Sequence, residues 1–307
     1  MNTTKLSAYL KVLRIESWQG WLFNFALGSV LFALPQVERF AFVFFAFGLI
    51  TSAVFILNQI IDQKNDRENN LKKDLPIASG MVSQNMALML FFAFTVIGLT
   101  IAYLMGLSIF LLLLLLLFLG IGYSTPPFSF KKRPIIDLVV CGIGSGVLPF
   151  LIGLQTASQL TLDFEFPWIV RRYQDAMLTA IPFFLIQAAG QLFQVIGDRQ
   201  ADATAGVNTF AVKYGEKNSL RLASILIILT LSLPIIYELL NLSLTSYLNW
   251  YLVTVVVATP FLFYVLHKLR GASEATFKRL RQASSRVGGV ILLLLFVYLV
   301  SVRFLLS

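Results

Sequence analysis

The chain has 307 residues, 58% hydrophobic and 13% charged, with a net charge of +9, one cysteine and one histidine. Soluble domains carry about 25% charged residues, so the composition argues against an ordinary globular domain and for an all-α, polytopic membrane protein. The single Cys141 excludes an internal disulfide and a thiolate metal cluster, and the single His267, expected in a loop, argues against histidine catalysis or a His-ligated metal.

The first 21 residues lack a short apolar core followed by a small-residue cleavage site, so no cleaved signal peptide is expected. Nine apolar spans follow, near 18–34, 40–61, 85–104, 107–123, 135–154, 177–196, 222–240, 247–266 and 287–305. About 20 residues of helix cross the hydrocarbon core, where no backbone group can go unpaired, so each span is expected to be helical. Only Met105-Gly106 divides spans three and four, and Leu111 to Leu117 is an unbroken leucine run. The Gly-rich stretch 142–146 falls within span five, where small residues permit close helix packing rather than phosphate binding. The segment 155–176 carries Asp163, Glu165, Arg171 and Arg172 and is expected to hold an interfacial helix. Residues 1–307 read as one membrane domain, a helix bundle with a lipid-accessible central cavity, built from two related halves at 15–155 and 177–305.

Charge sets the orientation. Of the 24 Lys and Arg residues, 20 fall in 1–17, 62–84, 124–134, 197–221 and 267–286, all on one side of the nine-span topology. Basic segments stay in the cytoplasm, which puts the N-terminus inside and the C-terminus outside. The same rule accounts for the positive excess without nucleic acid, and membrane lipids are the expected surroundings.

Two polar clusters share one spacing. Asn58, Asp62 and Asp66 follow span two, and Gln194, Asp198 and Asp202 follow span six. Four of the 15 acidic residues are in these clusters. On a helix, positions i, i+4 and i+8 stay on one face, so each cluster forms a ladder. Like charges at that spacing repel, more so beside a low-dielectric slab. Carboxylate and amide oxygens without Cys or His suit Mg²⁺, a hard ion often shared with substrate phosphates. Arg67, Lys72 and Lys73 follow the first ladder, Arg199 and Lys213 lie in or after the second, and Lys131, Lys132 and Arg133 join spans four and five. Carboxylates, Mg²⁺ and basic side chains together suit a diphosphate, and the apolar, aromatic-rich spans behind them suit a lipid chain.

These residues resemble the UbiA superfamily of intramembrane prenyltransferases, which has nine helices and two Asp-rich motifs. The first motif is similar to Asn58-Gln59-Ile60-Ile61-Asp62 with Asp66-Arg67, and a downstream signature to Lys72-Lys73-Asp74-Leu75-Pro76-Ile77-Ala78-Ser79-Gly80. The second motif resembles Asp198-Arg199-Gln200-Ala201-Asp202, continuing through Ala205-Gly206 to Lys213-Tyr214-Gly215. Between them, the segment from Tyr123 to Lys131 resembles the YSxPPxxxK stretch of several members. It looks more like branches that use chlorophyllide, homogentisate or carotenoid acceptors than the 4-hydroxybenzoate branch. Gln59 stands where an Asp is common, Leu75 where an Arg often precedes the Pro, and Val195 where some members have a further Asp. Two carboxylates per ladder remain, enough to share two Mg²⁺ ions.

The resemblance implies Mg²⁺-dependent transfer of a prenyl group from an allylic or polyprenyl diphosphate donor to an apolar or aromatic acceptor, in a site toward the cytoplasmic face. Asp62, Asp66, Asp198 and Asp202, with Asn58, are the expected metal ligands. Asn58, Arg67, Lys72, Lys73, Lys131, Gln194 and Lys213 are expected around the diphosphate, and Tyr123 beside the reacting carbons. A terpene cyclase of the same superfamily is the nearest alternative. A secondary transporter would place its acids near the midplane, whereas these lie at span ends.

Overall fold

The computed structural model describes residues 3–31, 35–68, 72–157 and 166–240, with single positions at 290, 293, 297, 300 and 301. Span eight, most of span nine, the basic segment 267–286 with His267, and Asp163 and Glu165 lie outside the described residues. Every described element is helical: α1 (Thr3–Val12), α2 (Gln19–Leu31), α3 (Val37–Glu68), α4 (Gln84–Met105), α5 (Leu107–Ser124), α6 (Pro134–Cys141), α7 (Leu148–Ala157), α8 (Phe166–Gly197), α9 (Arg199–Thr204) and α10 (Phe210–Leu239). Among the described residues, five stretches are long and apolar enough to cross a membrane: Val37–Glu68, Gln84–Met105, Leu107–Ser124, Pro134–Ala157 and Ala176–Gly197.

Several boundaries carry a local cause. Gly106 separates α4 from α5 with φ 133°, ψ 151°, a conformation only glycine takes readily. In the segment expected to hold an interfacial helix, the described residues from Phe166 onward form the start of α8, which runs on to Gly197. Among the described residues of the first apolar span, 13 form α2. Span five forms α6 and α7 joined by a π-helical stretch, Gly142–Val147, whose Ser145 carbonyl accepts from Asn24 Nδ2 of α2 at 2.9 Å. The seventh span lies within α10, whose regular course starts after a kink at Gly215.

Burial separates inner from outer helices. The apolar window of α3 and that of Pro134–Ala157 are each 56% buried, against 17% for α4. Phe92, Val96, Ile97 and Leu104 of α4 are exposed, as a lipid-facing surface requires. The inner helices approach closely. A Cβ on Gly28 would sit 2.1 Å from the Phe150 carbonyl oxygen, and one on Gly153 would sit 2.0 Å from that of Phe25. The α2–α7 pair is thus a reciprocal glycine contact, the packing that lipid-embedded helices use in place of hydrophobic drive. Within 142–146, Gly142 abuts the Phe184 ring and Gly146 the Phe183 carbonyl. The small residues there serve helix packing, as their position in an apolar span implies.

Candidate functional site

α3 continues past its apolar stretch for two polar turns, so Asn58, Asp62 and Asp66 lie on one face of a single helix. Asn58 Nδ2 donates to Asp62 Oδ2 at 2.9 Å and to Ser124 Oγ at 3.0 Å. Lys131, from the segment after α5, pairs with the other oxygen of Asp62. Asp66 is buried.

The second ladder is built differently from the single helix expected. α8 ends at Gly197, Asp198 takes φ −94°, ψ 0°, and α9 restarts at Arg199. The i→i−4 spacing survives the break, because Asp198 N–H donates to Gln194 O at 3.0 Å and Asp202 N–H to Asp198 O at 2.8 Å. The three side chains therefore still share a face.

Both ladders line one cavity of about 110 Å³. Asn58, Asp62, Asn65 and Asp66 come from α3, Gln191, Gln194 and Val195 from α8, Asp198 from the junction that follows, and Asp202 from α9. Lys72, Tyr123, Lys131, Asp137 and Arg14 contribute the remaining charged and aromatic groups. The loop after α3 is folded back by Arg67 Nε donating to Ala78 O at 2.8 Å and Gln63 Nε2 to Ile77 O at 3.0 Å. That fold delivers Lys72, whose Nζ donates to Asp198 Oδ2 at 2.9 Å. Burial acts to lower the Lys72 pKa, but the bonded Asp198 carboxylate, with Asp66 adding to it, turns the net direction upward. Burial pushes the Asp202 carboxyl up to about 6, with the Asp198 charge adding to it and Lys72 opposing.

Of the residues expected from sequence, Asn58, Asp62, Asp66, Lys72, Tyr123, Lys131, Gln194, Asp198 and Asp202 come together here. Arg67, Lys73 and Lys213 do not line the cavity. Arg67 holds the Ala78 carbonyl, Lys73 is exposed, and exposed Lys213 lies over the Tyr214 ring at 5.3 Å. Gln59 is buried away from the cavity and donates to Val12 O at 2.8 Å, fastening α1 to α3. Val195 lines the cavity wall.

The structure adds groups that the motifs do not contain. Arg14 lines the cavity in the left-handed region, φ 51°, ψ 40°, with its guanidinium 5.6 Å from the Phe55 ring centroid. Asp137 accepts from Tyr123 Oη at 2.9 Å and from Gln191 Nε2 at 3.0 Å. A carboxylate inside an apolar span was the readable signal for Asp137. Gln191 stands one helical turn before Gln194 and could be found as its face-mate.

Fold and site define a class, a multi-pass helical membrane enzyme whose carboxylates and basic side chains face one another across a polar chamber. The UbiA prenyltransferase family matches residues 22–284, and the chain belongs to that family. A digeranylgeranylglyceryl phosphate synthase from Sulfolobus acidocaldarius is 25% identical over 237 residues, 76% of this chain and 78% of that protein. A 2-acylphloroglucinol 4-prenyltransferase from Humulus lupulus is 32% identical over 178 residues, 56% of this chain but only 41% of its own length. A UbiA homologue from Archaeoglobus fulgidus, solved with DMAPP and Mg²⁺, shares the fold with a TM-score of 0.68 at 20% identity, covering 94% of this chain and 98% of that one.

Proposed function

We propose that this enzyme carries an allylic prenyl diphosphate in the cavity as a Mg²⁺ complex and transfers its prenyl group to an apolar or aromatic acceptor held among the spans. The carrying observation is the convergence of both carboxylate ladders, with Lys72 and Lys131, on one cavity. The charge balance supports metal. Five carboxylates (Asp62, Asp66, Asp137, Asp198, Asp202) face three basic side chains (Arg14, Lys72, Lys131), so the wall is net negative by two charges. A diphosphate alone would be repelled from such a wall.

The donor set fits Mg²⁺ shared with substrate. Among the described residues no three His, Cys, Asp or Glu side chains cluster closely enough to hold an ion. The carboxylates stand instead in two pairs, and Mg²⁺ characteristically takes one or two carboxylates with phosphate oxygens and water completing its shell. Asp62 and Asp66, with Asn58, would hold one ion, and Asp198 and Asp202 a second. The Archaeoglobus homologue, solved with DMAPP and Mg²⁺, supports a Mg²⁺-dependent site for a prenyl diphosphate. Mg²⁺ held by these residues would supply neutralisation of the charge developing on the departing diphosphate. Lys72 and Lys131, released from Asp198 and Asp62, orient the diphosphate and stabilise the same charge. Gln194 offers its amide to a phosphate oxygen. Arg67, Lys73 and Lys213 lie outside the cavity and act as a positive surround that draws the anion toward it. Tyr123 shields the allylic carbon, and the apolar bundle excludes water from the cation.

The basic segments 62–84, 124–134 and 197–221 contribute residues to the cavity lining, and the positive-inside rule supports a site at the cytoplasmic face. The repeated order of span, ladder and basic segment in 15–155 and 177–305 makes a duplicated unit the natural reading of the architecture.

Calorimetry with inorganic diphosphate tests the clamp. Binding is expected with Mg²⁺ present and lost in Asp198→Ala. Equal binding without Mg²⁺, or in that variant, would refute the metal role.

A further inference from the structure

Asp137 is a fully buried carboxylate one turn into the span Pro134–Ala157. Ionisable groups at membrane depth are expensive, and they mark functional positions or specific pairs. Among the described residues its hydrogen-bond partners are all uncharged. Tyr123 Oη donates to Oδ1 at 2.9 Å, Gln191 Nε2 reaches Oδ1 at 3.0 Å and Oδ2 at 3.1 Å, and the Cys141 thiol lies 3.8 Å from Oδ1. Oδ1 therefore takes three donors and Oδ2 one. A carboxylate has about four lone-pair positions, so Oδ2 keeps the capacity for one more donor. Tyr123, Asp137 and Gln191 line the same cavity as the two ladders.

We propose that Asp137 is the acceptor-side base, receiving at Oδ2 the proton of a neutral alcohol or phenol acceptor, while Tyr123 and Gln191 hold the carboxylate in place. This rests on the prenyl-transfer reading above. The allylic C–O bond breaks and its electron pair leaves with the diphosphate. The acceptor hydroxyl gives its proton to Asp137, and the oxygen of an alcohol forms the new bond to the allylic carbon. With a phenol, a ring carbon conjugated to that oxygen forms the bond, and the ring hydrogen returns to the oxygen. One proton is released either way, from Asp137 through the polar cavity to solvent. A carboxylate acceptor is disfavoured, because two like charges would meet in a nest without a cation.

The test supplies membranes containing the full chain with labelled geranylgeranyl diphosphate and Mg²⁺. The wild type is expected to yield a prenyl ether or a ring-prenylated compound with a free hydroxyl. In Asp137→Asn, labelled lipid is expected to fall by about a hundredfold or more, the scale of general-base catalysis. Mg²⁺-dependent binding of the unreactive analogue geranylgeranyl thiodiphosphate is expected to stay within about twofold, since ground-state binding is untouched. Undiminished transfer in the variant, or loss of transfer and binding together, overturns the inference and leaves the prenyl-transfer reading standing. If the variant does not fold, the wild-type product decides: a prenyl ester, or a product lacking hydroxyl-derived oxygen, overturns it. Wild-type membranes that make no labelled lipid overturn the prenyl-transfer reading and this inference with it.

Discussion

Lys72, in the loop that follows the first ladder, donates to Asp198 of the second at 2.9 Å. The bond joins segments 126 residues apart and neutralises a carboxylate assigned here to metal. Under the proposed clamp, Lys72 would have two roles: counter-ion to Asp198 before substrate arrives, and ligand of the diphosphate afterwards. Hydrogen bonds to charged groups contribute about 1.5–3 kcal/mol, so Lys72→Met is expected to raise the donor KM by about tenfold or more. Mg²⁺ affinity in the absence of diphosphate should rise in the same variant, because an internal competitor is gone. Titration with Mn²⁺ followed by electron paramagnetic resonance reads this directly. Weaker metal binding would show that Lys72 supports Asp198 rather than competing for it.

Asp62→Asn and Asp198→Asn keep size while removing one charge and one acceptor oxygen each. Metal-ion stabilisation is worth several kcal/mol, so each should lower kcat/KM by about a thousandfold at saturating Mg²⁺. Circular dichroism should show unchanged helix content. A loss below tenfold in both would remove these residues from the clamp.

Gln59 separates position from motif. Its Nε2 donates to Val12 O in a site 1% exposed. Gln59→Asp, which brings the sequence nearer the family pattern, removes that donor and buries a carboxylate. The expected result is a loss of about 2–4 kcal/mol of stability, seen as a lower melting temperature in detergent, with no gain in Mg²⁺ affinity. Tighter Mg²⁺ binding would mean that position 59 reaches the cavity.

The glycines make a paired comparison. A Cβ on Gly153 would meet the Phe25 carbonyl at 2.0 Å, whereas one on Gly144 meets nothing within 4 Å. Gly153→Ala should cost about 1–3 kcal/mol through forced separation of α2 and α7, while Gly144→Ala stays within about 0.5 kcal/mol. Thermal unfolding of the two variants side by side checks the pair, and equal melting temperatures would contradict the close approach.

The ladders were legible because carboxylates are scarce in an apolar chain and a spacing of four fixes them to one helix face. The division at Gly106 was legible for a similar local reason, a glycine between two apolar runs. The break at Asp198 was not read, although Gly197 stands just before it, because hydrogen bonds across the break preserve the spacing that signals a continuous helix. The roles of Arg67 and Gln59 were hidden for another reason. Each bonds a backbone carbonyl on a different segment, Ala78 and Val12, and no sequence pattern records which carbonyl a folded loop or helix end will present. The Tyr123–Asp137–Gln191 assembly likewise exists only where α5, α6 and α8 meet.

The most direct measurement follows label from geranylgeranyl diphosphate into lipid, using the purified chain reconstituted with a membrane extract, first with Mg²⁺, then with excess EDTA, then with Mg²⁺ restored. The clamp predicts prenylated lipid and released diphosphate with Mg²⁺, neither in EDTA, and recovery of both on restoration. Equal lipid labelling in EDTA would contradict it.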